Sequence, residues 1–351
     1  MSASPASVVP EQGPARGPAR GPRGRWSALL VRLRVRWGAL LAWLRGHVRA
    51  VLVTNLVLQI AIVGTGGAVR LTASGLGCST WPQCEPGSFV PVLHDATTYH
   101  VFVEFGNRLM TFVLTLAAVT VAYVVWPDRS RSTSFRRLGW VPLAGVVAQA
   151  VVGGVLVLLE LPPILVSIHF LLSMALVAAS LVLVHRAGEA DDAPLLLVDR
   201  TTRVLTDVAA ALMAVVLVLG TLTTGAGPHS GDDEVGYRLA VDPLVMARVH
   251  AAAVWAFVAV LLVVLWRTRR GGPAGPRADA AHRASVVLLV LSVAQGAIGY
   301  VQTATGLPIA LVNLHLVGAA LLAAGTTRVW LCTRTRTRTV AASSARVPSA
   351  T

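Results

Sequence analysis

Lysine is absent from this sequence, cysteine occurs only three times, and charged residues of all kinds make up 13% of the chain. Each scarcity excludes something. A soluble chain of 351 residues needs far more charge to cover its surface, so a water-soluble globule is ruled out. Three cysteines are too few to staple a small disulfide scaffold. With no lysine, the net charge of +14 is carried entirely by arginine. A basic chain can signal nucleic-acid binding. Here the arginines lie between apolar segments, so lipid headgroups and membrane topology account for them and no nucleic acid is expected.

What is abundant is apolar: 55% of the residues are hydrophobic and mean hydropathy is +0.68. Eight apolar segments each approach the ~20 residues a helix needs to cross the hydrocarbon core. They are Val51–Val69, Val101–Trp126, Leu138–Leu159, Ile164–Val184, Val204–Leu222, Val245–Trp266, Ala284–Val301 and Ile309–Leu331. Before them, residues 1–50 form a tail. Met1 to Arg25 is rich in Pro, Gly, Ala and Arg and cannot bury a core, which predicts disorder. Trp26 to Arg49 mixes Arg with Leu, Val and Trp, as in a helix lying on an anionic surface or a basic linker.

Arginine placement sets the expected orientation. Arg129, Arg131, Arg136 and Arg137 fill the second connection, Arg186, Arg200 and Arg203 the fourth, and Arg267, Arg269, Arg270, Arg277 and Arg283 the sixth. Arg334, Arg336 and Arg338 follow the last span, whereas the odd-numbered connections hold only Arg70 and Arg238 at their margins. The positive-inside rule then puts both termini in the cytoplasm.

An internal repeat runs through the spans. Ala148-Gln149, Gly153, Leu161-Pro162, Val166 and His169 recur as Ala294-Gln295, Gly299, Leu307-Pro308, Val312 and His315, at a constant offset of 146 residues. Gly64-Thr65 and Gly220-Thr221 are a weaker echo. The expected fold class is all-α integral membrane, with two repeated four-helix bundles related by a pseudo-two-fold axis along the membrane normal. The bundles cover residues 51–185 and 204–331, with a cytoplasmic linker over 186–203 and a tail over 332–351. Parallel repeats also occur in transporters, so the repeat alone does not choose a function.

Of nine histidines, only His169, His250 and His315 fall inside spans; His94 and His229 fall in outer connections. A lone intramembrane imidazole is often a neutral group bonded to a neighbouring helix. Three at matched depth suggest more. His169 lies ~9 Å along its helix from Pro163, at 1.5 Å per residue, and His250 and His315 lie similarly deep. Two imidazoles facing each other across a bundle are the usual protein offer to a haem iron. Zinc fits less well, because no Cys or carboxylate cluster accompanies them. In the first half, His100, Glu104 and Asn107 follow i, i+4, i+7 spacing on one helical face, and Asn107 aligns with His250. Arg108 is placed to pair with a haem propionate or a neighbouring carbonyl. Glu104 is either a charge at a wet helix end or a functional group facing the bundle. Cys78 and Cys84 bracket Ser-Thr-Trp-Pro-Gln on the outer side, where a short bond across the loop is feasible and a redox-active pair is the alternative. Cys332 reads as an inert thiol.

Several stretches together resemble a known family. Gly-Gly-Ala-Val-Arg-Leu-Thr-Ala-Ser-Gly-Leu-Gly-Cys78 followed by Trp-Pro-Gln-Cys84 is similar to the start of the haem A synthases. So are Glu104-Phe-Gly-Asn107-Arg108, the Thr-Gly-Ala-Gly-Pro-His229-Ser-Gly-Asp connection, and the two Leu-Pro…His elements ending at His169 and His315. The resemblance runs from about Thr54 to Leu331. It implies oxidation of the C8 methyl of haem O to a formyl group, giving haem A for terminal oxidases, in the bacterial inner membrane. It also implies a haem b cofactor on His250 and His315. Substrate haem would lie against His169, with Asn107, Arg108 and His100 beside it and Glu104 as the essential carboxylate. The Cys78–Cys84 disulfide matches too. Membrane lipids, haem O synthase, a membrane electron acceptor and a second copy of the chain are the partners this leaves open. The residues also allow a non-enzymatic b-type di-haem electron carrier and, as a third class, a small-molecule transporter with the histidines as proton relays. One departure stands out. Many members carry a second histidine where this chain has Asn107, so the substrate haem would be five-coordinate on His169, or His100 would swing in.

Overall fold

A computed structural model of the chain describes residues 22–93, 97–229, 231–232, 234, 238–269 and 278–336. His94, Arg270, Arg277 and Arg338 lie outside the described residues, as do Met1 to Gly21, where disorder is expected. Eight helices among the described residues are long and apolar enough to span a membrane, and the chain is an all-α, multi-pass membrane protein.

The first helix, α1 (Pro22–Gly46), includes the end of the expected disordered stretch and belongs to a unit that ends at His47. Leu33, Val35, Trp37, Leu40 and Trp43 are all exposed.

The spanning unit starts at Val48. Its helices are α2 (Val48–Leu71), α3 (Tyr99–Val125), α4 (Thr133–Leu138) with α5 (Val141–Leu158), α6 (Pro163–Ala187), α7 (Arg200–Ala226), α8 (Pro243–Arg269), α9 (Ala278–Ala304) and α10 (Ile309–Cys332). Most extend a few residues beyond their apolar windows, α9 furthest, from the expected Ala284 back to Ala278. Charged and polar residues end a hydropathy window without ending a helix, since a helix longer than the ~30 Å core continues into the headgroup layer. The third span differs in kind. Ser132 accepts a hydrogen bond from Phe135 N and caps α4, the helix breaks at Gly139–Trp140, and α5 restarts with Pro142 in its first turn, where a missing N–H costs nothing.

Helix adjacency is simple. In the first half α2 touches α3, α3 touches α5, α5 touches α6, and α6 returns to α2; α7, α8, α9 and α10 close the same kind of ring. Thus α3 and α6 stand diagonally across one ring, and α8 and α10 across the other. The halves meet where α10 packs on α2 and α6, and α6 on α7. Val63, Met174, Val177, Ala320 and Ala323 are the buried apolar core of that seam. Gly67 allows the closest approach, for a Cβ there would collide with Asn313 Oδ1.

The turns into α6 and α10 are built alike. Leu161 N donates to Leu156 O (2.9 Å) and Leu307 N to Gln302 O (2.7 Å), and both leucines have positive φ before a proline. At the far ends, a two-stranded ribbon that the sequence did not announce joins β1 (Leu195–Leu196) to β2 (Arg334–Thr335).

Candidate functional site

The connection between α2 and α3 folds over the start of α3. Cys78 and Cys84 are disulfide-bonded and fully buried. The loop backbone presses on the helix so closely that a Cβ at Gly77 would lie 2.6 Å from the His100 carbonyl. Glu104 is the anchor of this arrangement. It is 5% exposed, and one carboxylate oxygen accepts from Cys78 N at 2.6 Å. The other accepts from Arg108 Nε at 3.0 Å and also from Nη2. Arg108 continues into the loop, donating to Gln83 O and Thr80 O at 3.0 Å each. Four of its five N–H donors are thereby engaged, so of the two partners expected for Arg108 the structure supplies carbonyls, with Glu104 added. Glu104 is no wet helix end: it is a buried carboxylate that ties the disulfide loop to α3.

His100 is held as well. Its Nδ1 bonds Ser74 Oγ at 2.9 Å and its ring packs on Tyr99, centroids 4.1 Å apart. One turn below Glu104, Asn107 Oδ1 accepts from Thr65 Oγ1 of α2 at 2.7 Å. Sequence reasoning met Thr65 only as a repeat echo and Ser74 only within a longer motif, since hydroxyls bonding across helices leave no spacing signature.

His169 and His315 sit in matching surroundings. Each Nδ1 is buried with no hydrogen-bond partner. Each backbone carbonyl accepts from a glutamine, Gln149 Nε2 at 3.0 Å and Gln295 Nε2 at 2.7 Å. Each ring faces a glycine, whose Cβ would lie 3.5 Å from His169 Cε1 at Gly153 and 3.2 Å from His315 Cε1 at Gly299. These glutamines and glycines were visible as markers of the repeat; their work is to position a helix carbonyl and leave room for a ring. His250 differs in one respect. Its Nδ1 bonds Val216 O at 3.1 Å, and since a carbonyl only accepts, that nitrogen carries the proton and Nε2 keeps its lone pair. Gly220 faces this ring, with its Cβ position 3.2 Å from Cε1.

His250 and His315 stand on the diagonal pair α8 and α10. Asn107 and His169 occupy the other diagonal pair, α3 and α6. The surroundings suit a haem-type group. Val216 O fixes His250 in the Nδ1–H tautomer, whose Nε2 lone pair is the one an iron requires, and the facing glycines keep space beside the rings of His169, His250 and His315. No group of three or more His, Cys, Asp or Glu able to hold a bare metal ion occurs among the described residues.

The two halves also lock together over the disulfide face. Arg70 of α2 donates to His229 O (3.0 Å) and Thr224 O (3.2 Å), the latter a carbonyl in the last turn of α7. His229 Nε2 lies 3.2 Å from Leu307 O, and Gly75 N donates to Gly231 O at 2.8 Å. His229 therefore belongs to the loop layer and not to the diagonal histidine set.

Known proteins resemble part of this chain. A heme A synthase of Lysinibacillus sphaericus is 31% identical over 134 residues, covering 38% of this chain and 42% of the relative. One from Symbiobacterium thermophilum is 31% identical over 148 residues, 41% of this chain and 46% of the relative. A third, from Bacillus pumilus, is 29% identical over 142 residues, 39% of this chain and 44% of the relative. The chain thus spans less than half the length of the curated relatives it matches. The model of the cytochrome oxidase assembly proteins, COX15-CtaA, matches residues 49–228, just over half of the chain, and the chain belongs to that family.

Proposed function

We propose that the protein is a haem A synthase, which oxidises the C8 methyl of haem O to a formyl group. The observation that carries this reading is the pair of diagonal sites. His250 and His315 stand on diagonal helices, each with a glycine against its ring, and His169 has the same unpartnered Nδ1 and the same glutamine-held carbonyl as His315. The relatives bear the name heme A synthase, which supports the same assignment.

In this reading the halves divide the work, as the offset of 146 residues suggests; they are related by a pseudo-two-fold axis along the membrane normal, the arginine-rich ends face the cytoplasm, and both sites lie toward the disulfide face. His250 and His315 hold haem b, and His169 holds the substrate haem. Haem b, when bound, supplies one-electron redox chemistry toward a membrane acceptor. The chain supplies position. Val216 O keeps His250 in its Nδ1–H tautomer, and Gln295 holds the carbonyl of His315. Glu104 is the carboxylate for proton transfer near the methyl. Any proton it takes must compete with the Cys78 amide and Arg108, so its proton exchange is coupled to the disulfide loop.

Co-expression with a haem O synthase in a host lacking haem A, followed by haem extraction and mass analysis, tests this. Formyl-bearing haem A is expected, and it should vanish in His169→Ala while haem b remains. Haem b with haem O left unconverted would overturn the synthase reading in favour of an electron carrier.

A further inference from the structure

The departure at Asn107 has a structural counterpart on α2. Asn107 is the ninth residue of α3 and His250 the eighth of α8, so they stand at nearly equal depth on the helices diagonal to His169 and His315. His250 offers an imidazole lone pair at Nε2. Asn107 offers the opposite. Its Oδ1 already accepts the Thr65 hydroxyl at 2.7 Å, and the same hydroxyl lies 3.2 Å from Ile62 O within α2. Thr65 therefore fixes the plane of the carboxamide. The Nδ2 amide is then the group that Asn107 has left to offer, a hydrogen-bond donor whose nitrogen has no lone pair to give a metal. His100 does not take over, for Ser74 Oγ holds its Nδ1 at 2.9 Å, two turns nearer the loop.

We propose that Thr65 and Asn107 form a hydrogen-bond-donating face in place of an axial ligand. The haem on His169 is then five-coordinate, with an open position for a small ligand that binds iron and accepts a hydrogen bond. The inference rests on the assignment of a substrate haem to His169. It gives the two diagonals different chemistry: the His250–His315 site is closed by two imidazoles and passes electrons, while the His169–Asn107 site is open. Thr65 is a positioning residue, acting through Asn107.

Carbon monoxide binding to the dithionite-reduced, haem-loaded protein tests the proposal, with visible and infrared spectra. In the wild type, carbon monoxide should bind the haem that His169→Ala removes and leave the other low-spin haem untouched. Asn107→His should convert the first site to low-spin and abolish the carbon monoxide complex. Thr65→Val should retain the complex but raise its C–O stretching frequency, because the amide donor is no longer held; Thr65→Ser should restore the wild-type frequency. A His169-dependent haem that is low-spin and inert to carbon monoxide in the wild type would overturn the proposal, as would an unchanged frequency in Thr65→Val. If His169→Ala leaves the haem-to-protein ratio unaltered, the assignment of haem to the first half fails and the proposal falls with it.

Discussion

Gly220 and Gly299 each face an imidazole so closely that an added Cβ would stand 3.2 Å from the ring carbon, whereas Gly153 would leave 3.5 Å at His169. The first distance requires the ring to yield by a few tenths of an ångström, while the second is an ordinary contact. Gly220→Ala and Gly299→Ala should therefore tilt His250 and His315, at an overpacking cost of about 1 kcal/mol. Gly153→Ala should be neutral within about 0.5 kcal/mol. Thermal unfolding in detergent, together with the haem-to-protein ratio, separates the cases. Equal behaviour of all three alanine variants would mean that the glycines serve helix packing and not the rings. The residue scale is also where Glu104 acquires its meaning. A carboxylate whose two oxygens hold a loop amide and an arginine organises the disulfide loop, so its removal should loosen the loop whatever part it has in the proposed reaction.

At the scale of the element, the turns before α6 and α10 contain a built-in comparison. Glu160 has φ 55° and Gly306, its counterpart in the second turn, has φ 77°. Glycine adopts this left-handed region freely, whereas a residue with a Cβ pays about 1 kcal/mol. Glu160→Gly should stabilise the protein by about that amount and Gly306→Glu should destabilise it similarly, read as opposite shifts of the unfolding midpoint. Shifts of the same sign would show that side-chain interactions, not backbone conformation, decide these turns. Both turns were legible in the sequence as Leu-Pro before a histidine helix, and the eight spans were legible as apolar runs, because burial in lipid demands continuous hydrophobicity. The histidines were legible for the complementary reason: an ionisable group in such a run stands out. What stayed hidden depends on partners far away in sequence. Thr65 and Asn107 are 42 residues apart, the partner of Glu104 is a backbone amide that any residue could supply, and β1 and β2 are two residues each, too short for any periodicity.

At the scale of the whole molecule, that small ribbon closes the arginine-rich end. Leu197 N donates to Thr333 O and Ala190 N to Arg336 O, so the linker between the halves and the segment after α10 are bound to each other. Asp191 tightens the same region by accepting from Arg131 Nε (2.9 Å), Arg186 Nη2 (3.1 Å) and Ser132 N (2.7 Å). Burial alone would raise its pKa, but the hydrogen bonds from Arg131 and Ser132 outweigh it and hold the carboxyl well below the ordinary aspartate range. A depressed folded-state pKa contributes stability above the unfolded value of about 4 and loses it as pH falls through the folded value. Asp191→Asn should thus cost about 1–3 kcal/mol at neutral pH, the range for hydrogen bonds to charged groups. Its deficit relative to wild type should then shrink as the medium is acidified below about pH 4. Asp199, held at about 2 by its hydrogen bonds from Thr202, titrates in both proteins and cancels in the comparison. Unfolding midpoints of the two proteins from pH 7 down to the acid limit of the wild type decide the matter. Convergence at low pH assigns the clasp to the ionised carboxylate, whereas a gap that stays constant would trace the loss to the shape of the side chain and leave the charge without a role.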